Sequence, residues 1–405
     1  GATCYMNSLM QQLFMTVPLR KGLFSVHLDN PNDENSWLLF QMQTMFGFLQ
    51  NSAKRFYDTR PFCNAYKEDG HPVNCSQQQD ATEFFNLFLD KIESALKSSS
   101  QEHLLKKVFG GRTLSQLIYE NQVSETYEPF LFMPLEIKDK KTLTDCLDLY
   151  VAGETLDGNN KYYSETLQRH VEALKRAVIK DLPNVLIFQL KRFEFDFNKM
   201  KHVKLNDRCE FPVDLNMEPY TEEGMERREQ RKLKEKPPQH RDPSYYAYKL
   251  VGVVVHSGSA DSGHYYSYIM DRSVVSENPH WFEFNDTKIS VFQIDDLEKQ
   301  TFGGIEEIIV KDQGKNTIRN KMYRSNNAYM LFYQRASTMY DSTFEEEMYD
   351  PRTDTDDHIV QSINEQRRSL TGPISIDALS PSKMLKDTEI LEDDEDQLND
   401  EKEED

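Results

Sequence analysis

Cys4 opens the run CYMNSLMQQLFM, in which Tyr5, Met6, Leu9, Met10, Leu13 and Phe14 recur at helical spacing until the pattern stops before Pro18. The spacing puts a thiol at a helix N-terminus, where unpaired main-chain N–H groups favour the thiolate and can hold the oxyanion formed when a carbonyl is attacked. The small Gly1 and Ala2 before it permit a close approach. A thiolate nucleophile works with an imidazole, and among ten histidines His264 is best placed, between a glycine turn and a strand in GSADSGHYYSYI. Gly258 and Gly263 let substrate backbone pass close to it. Downstream, WFEFNDTKIS offers Asn285 and Asp286 at a strand end, where either can accept the second imidazole N–H and fix the tautomer. Each residue also has a plain structural reading, a small buried thiol or a satisfied strand histidine, and spacing alone does not bring positions 4 and 264 together.

The elements that must position these residues divide along the chain. Besides the first helix, residues 37–49 and 81–96 are apolar at helical spacing, the latter through Phe84, Phe85, Phe88, Leu89, Ile92 and Leu96. From about Val108 the texture changes to short alternating runs such as VLIFQLKRFEF, YKLVGVVVH and NAYMLFYQR, rich in β-branched and aromatic residues, which predict sheet. Two stretches interrupt it: 163–180 is polar and helix-compatible, and 222–242 is charged, broken by proline and without an apolar face, as expected of an exposed insertion. The Gly303–Gly304 pair reads as a turn, since a phosphate loop needs further glycine and a lysine.

The chain has 405 residues, with 48 Lys and Arg against 68 Asp and Glu and a formal charge of −20. Such a total argues against a duplex nucleic-acid binder. Most of the excess is local: residues 337–405 carry 22 acidic against 6 basic residues, leaving 46 against 42 before them. The last stretch, LEDDEDQLNDEKEED, has almost nothing apolar to bury, so 337–405 is expected to be a disordered acidic tail. Five cysteines in a chain this long do not form a disulfide framework, which points to a reducing compartment, the cytoplasm or the nucleus. No window approaches the roughly 18 apolar residues of a membrane span.

GATCYMNSLMQQL, QQQDATEFF, LIFQLKRFEFD, VVVHSGSADSGHYYSYI, WFEFND and NAYMLFYQR resemble, in order, the signature boxes of the ubiquitin-specific proteases, and DLNMEPYT and FGGIEE resemble the large fat-facets-type members. The resemblance spans residues 1–335 and implies an α+β fold, a papain-like cysteine-protease hand. Its helical thumb would cover about 1–107, its fingers would lie within about 108–245, and its β-rich palm would cover about 180–335. It implies a thiol-dependent deubiquitinase that cleaves after the C-terminal Gly of ubiquitin. Carried over by position, the nucleophile falls on Cys4, the general base on His264 and the third triad member on Asn285, with Asp286 as a second acidic position. The family's oxyanion-supporting Asn would precede Gly1, so the fragment is expected to be impaired. QQQDATEFF corresponds to the segment lining the channel for ubiquitin's Arg-containing tail. There Gln79, Asp80 and Glu83 would bind the tail, the two acids pairing with its arginines, while Gly263 and Tyr265 would wall the channel.

Many family members carry a zinc ribbon in the fingers, built from two Cys-x-x-Cys pairs. Here YYSETLQRH puts Ser164 and Leu167 at two of the thiolate positions and no Cys-x-x-Cys pair occurs, so no metal or other cofactor is expected. Expected partners are ubiquitin and ubiquitinated proteins, with no nucleic acid and no membrane. The competing readings are a ubiquitin-binding pseudoenzyme scaffold, which loss of a triad residue would signal, and a hydrolase of another ubiquitin-like modifier.

Overall fold

The computed structural model describes residues 2–28, 33–54, 56–120, 122–233, 241–272, 278–311 and 317–339. The acidic tail beyond Met339 lies outside the described residues. Two compact units share the chain: residues 1–104 with 265–294, and residues 105–264 with 295–341.

The first unit contains α1 (Cys4–Met15), α2 (Val17–Phe24), α3 (Glu34–Asn51), α4 (Arg60–Ala65) and α5 (Ala81–Leu96). The helical pattern stops before Pro18, yet the chain does not leave helix there. Thr16 ends α1 and Pro18 sits in the first turn of α2, where its missing N–H costs nothing. Asp33 caps α3 by accepting from the Asn35 and Ser36 N–H groups. The apolar stripe of α5 meets α1 through an aromatic series: Tyr5 and Tyr66 stand edge-on to Phe84 at 5.3 and 5.0 Å, and Phe84 stacks on Phe88 at 5.5 Å.

Within this unit residues 265–294 pack on the helices, where α1 buries its far end on them. Met15 joins Ile269, Phe282 and Phe284 in one buried cluster, Ser267 Oγ donates to Ser8 O (3.0 Å), and Gln12 Nε2 donates to Tyr268 O (3.3 Å). The antiparallel ladder pairs Ser267 with Phe284 and Phe284 with Ile289, and the two-residue turn between Asn285 and Lys288 holds Asp286 at φ 52°, a conformation Asp tolerates.

Among the described residues the second unit holds two larger sheets, with two-stranded hairpins beside them. One runs Gln122–Phe130, Gly111–Tyr119, Ala173–Asp181, Glu154–Leu156, all antiparallel. The other runs Asp214–Asn216, Ala247–Gly258, Asn326–Arg335, Val185–Leu190, Met133–Leu135, with only the last pair parallel. Val185–Leu190 is buried at every position, which is why it reads as a continuous apolar run. After α6 (Leu104–Phe109), this unit contains α7 (Leu143–Ala152), opened by a Thr142–Asp145 capping box, and α8 (Glu222–Leu233). Cys146 on α7 hydrogen-bonds Cys209 despite their separation in sequence.

Two expectations fail here. The stretch 163–180 is not helical: it forms a Tyr162–Ser164/Arg169–Val171 hairpin and most of the Ala173–Asp181 strand, since its few apolar residues pair across a sheet rather than along a helix face. The stretch 222–242 is not a bare insertion. Residues 222–233 form α8, docked through polar contacts in place of an apolar face: ion pairs of Glu222 with Lys180, Glu223 with Arg241 and Arg227 with Glu218 at 2.6 Å, and a hydrogen bond from the Tyr246 hydroxyl to Glu223. Residues 234–240 lie outside the described residues.

Ser164 and Leu167, the two positions where thiolates would sit, are joined by a Leu167 N–H to Ser164 Oγ bond (3.2 Å). Leu167 packs with Leu117, Leu156 and Tyr162 against buried Tyr119, Val171 and Ala173. Packing closes this hairpin. A strong zinc chelator is therefore expected to leave the melting temperature unchanged. Val171→Asp, which buries a carboxylate, should cost on the order of 3 kcal/mol in denaturant unfolding.

Candidate active site

Cys4 is the first residue of α1 and is only 6% exposed. The chain entering it is pinned by the Ala2 N–H donating to Cys75 O at 2.7 Å. Burial is the main influence on the thiol and raises its pKa, and the nearby Asp286 carboxylate raises it further. Three main-chain N–H groups act in the opposite direction, those of Tyr265, Tyr5 and Cys4 itself. The resting thiol is thus protonated, in a nest of donors suited to a negative charge, and it needs a base to become a nucleophile.

Tyr265 joins several residues singled out in the sequence. Its N–H meets the Cys4 sulfur, its buried phenol accepts from the Ala81 N–H at the start of α5, and burial followed by the Asp80 carboxylate drives its pKa far up. It also follows His264 directly in the chain. Gly263, one residue earlier, lies against the His256 ring, where a Cβ would come within 2.2 Å of Nε2.

Asp80 does a local job. It caps α5, its Oδ1 accepting from the Thr82 (2.8 Å) and Glu83 (3.2 Å) N–H groups. Glu83 is exposed in the first turn, and Gln79 Nε2 donates to Glu68 Oε2 at 2.8 Å. Asn285 turns its amide nitrogen to Glu283 Oε1 (3.1 Å).

Sequence reasoning missed Asn7, whose Nδ2 donates to Asp286 Oδ1 at 2.8 Å. The available signal was its place three residues after Cys4, on the same face of α1. Beyond this bond lies a cavity of about 180 Å³ with walls that include Met10, Phe14, Met45 and Phe284, and it belongs to the first unit.

Two outcomes are expected. Asp286→Asn removes a charge that raises the Cys4 pKa, so the midpoint of the pH profile for iodoacetamide alkylation of Cys4 should move to lower pH. Asp80→Ala should lose about 1 kcal/mol in denaturant unfolding while Asp80→Asn, an equally good cap, loses little. The Asn variant therefore isolates the charge of Asp80 from its capping.

The family model for ubiquitin carboxyl-terminal hydrolase matches residues 1–333. Ubiquitin carboxyl-terminal hydrolase 24 of Mus musculus is 38% identical over 352 residues, covering 83% of this chain and 13% of that protein. Ubiquitin carboxyl-terminal hydrolase 9X of Mus musculus is 34% identical over 400 residues, 84% of this chain and 16% of that protein. The probable ubiquitin carboxyl-terminal hydrolase FAF of Drosophila melanogaster is 31% identical over 392 residues, 83% and 14% respectively. This chain thus spans less than a fifth of the length of these relatives. Among solved structures, the SAGA Ubp8/Sgf11/Sus1/Sgf73 DUB module bound to ubiquitin aldehyde superposes with a TM-score of 0.58 at 23% identity, covering 82% of this chain and 68% of that one, a likeness of fold. With an α+β fold, a helix-start cysteine and a family match running from that cysteine to the last sheet strand, the chain belongs to the ubiquitin carboxyl-terminal hydrolase family.

Proposed function

We propose that this chain is the catalytic domain of a deubiquitinating cysteine protease, hydrolysing the bond between the C-terminal Gly of ubiquitin and a lysine or peptide amine. The observation that carries this is Cys4 buried as the first residue of α1, within a family match that runs over residues 1–333, and the main-chain N–H groups of Tyr265, Tyr5 and Cys4 act to lower its pKa. In this reading His264 takes the Cys4 proton and the thiolate attacks the glycyl carbonyl. The N–H groups of Cys4 and Tyr5 hold the oxyanion, and His264 returns the proton to the departing amine. Water then hydrolyses the thioester. Asn285, whose nitrogen donates to Glu283, would on this reading accept the second imidazole N–H through Oδ1, and Asp286, which accepts from Asn7, would add negative charge favouring imidazolium. Glu83 and the Asp80 carboxylate would meet the arginines of the tail, with Gln79 beside them and Gly263 and Tyr265 as channel walls. The neighbouring structure's ubiquitin aldehyde, an electrophile at the ubiquitin C-terminus, supports the choice of ubiquitin. All five cysteines are free thiols, in keeping with the cytoplasm or nucleus.

A ubiquitin carrying a C-terminal alkyne or vinyl electrophile should add once to the chain, at Cys4. Cys4→Ala should abolish the adduct, and His264→Ala should slow its formation by about 100-fold or more. No adduct, an adduct that persists in Cys4→Ala, or labelling only by another ubiquitin-like electrophile would overturn the proposal.

A further inference from the structure

The turn before His264 is unusually constrained, and all of its constraints lie within the second unit. Strand Ala247–Gly258 shifts register against Asn326–Arg335 between Val254 and Val255, a bulge that re-aims its last residues. Gly258 then takes φ 115°, and a Cβ there would lie 2.5 Å from Ser262 O. The turn closes on itself through Ser259 N–H to Ser262 O (2.8 Å). Gly263 presses on the His256 ring, which stands edge-on to Phe193 at 5.1 Å. Burial, then Lys204 and His264, push the His256 pKa down to about 3, so this ring is a neutral spacer.

What ties the stem of this turn is a cation. Lys204, at the end of strand Lys201–Lys204, points Nζ at His256 O (2.9 Å), Gly258 O (3.3 Å) and Ser325 O (2.5 Å). Ser325 O also accepts the Gly258 N–H at 3.3 Å. An ammonium has three donors, and here three main-chain carbonyls from two strand ends take them. Burial, with the nearby Arg192 charge adding to it, lowers the Lys204 pKa, whereas three carbonyl acceptors on Nζ act the other way and favour the ammonium. Arg192 is itself buried and solvated in the same way, by Ala328 O, Leu205 O and Asp207 O, and its own carbonyl accepts the Leu205 N–H (2.7 Å), fixing the residue after Lys204.

A residue needed only to fill this space would be apolar. A charge held against burial by three convergent carbonyls serves position instead. We propose that Lys204 is a positioning residue for His264: its ammonium ties the stem of the 258–263 turn to the Ser325 strand end and so sets the angle at which the strand from Gly263 presents the imidazole. This rests on the reading of His264 as general base.

The test compares Lys204→Met, of similar length without donors, with Lys204→Arg, which keeps the cation, using ubiquitin bearing a C-terminal fluorogenic amide. For Lys204→Met the expected result is a fall in kcat of tenfold or more with KM within twofold, together with faster hydrogen exchange confined to amides 258–264. Lys204→Arg should recover most of the kcat. Should Lys204→Met not fold, Lys204→Leu, which also lacks donors, carries the same comparison. A variant that melts earlier but turns over at the wild-type kcat below its transition reduces Lys204 to a purely structural role and overturns the proposal. A kcat loss that arginine does not recover also overturns it. Failure of the underlying reading looks different: wild type does not cleave, or His264→Ala keeps its labelling rate.

Discussion

A thiol is a nucleophile only as far as its charge is tolerated, and at Cys4 burial and the Asp286 carboxylate both oppose that charge. The counterweight is main-chain, the N–H groups of Tyr265, Tyr5 and Cys4. Donors of this kind have no rotamers to search, so their aim depends on where the backbone is held. Much of the first unit serves that end. The aromatic series from Tyr5 to Phe88 fixes α1 against α5, and Ser8 and Gln12 fix the strand of Tyr265 against α1. The Ala2 to Cys75 bond fixes the entry to α1.

The second unit solves the opposite problem by similar means. Lys204 and Arg192 bring positive charge into an apolar sheet, and their hydrogen-bond partners are main-chain carbonyls rather than carboxylates. A buried carboxylate would have brought its own desolvation cost, whereas a carbonyl of a strand end or bulge already needs a donor. Irregular backbone and buried cations therefore complete each other, and the irregularity falls on the turn that leads to His264.

Much of this was legible in the sequence, because periodicity reports burial. The α1 and α5 stripes and the fully buried strands appear where their apolar spacing put them. What escaped lacked that signal. Residues 222–233 dock through ion pairs, which look in sequence like a solvated face. Residues 163–180 pair in a sheet with too few apolar positions to show alternation. Among the site residues, Cys4 stands at the helix start that its spacing required. In sequence Asp80 reads as an arginine partner or a solvated helix face, and its capping of α5 shows only in the geometry. Asn7 and Lys204 act through bonds to residues 279 and more than 50 positions away, which no local pattern encodes.

Tyr265 touches the nucleophile with its backbone and the start of α5 with its phenol. An aromatic side chain has few internal rotations in which to absorb a displacement. Whatever shifts the first turn of α5 is therefore passed as a small lever motion to the donor on Cys4. One rigid side chain thus links the start of α5 to a main-chain donor beside the sulfur, so the two places cannot be repacked independently.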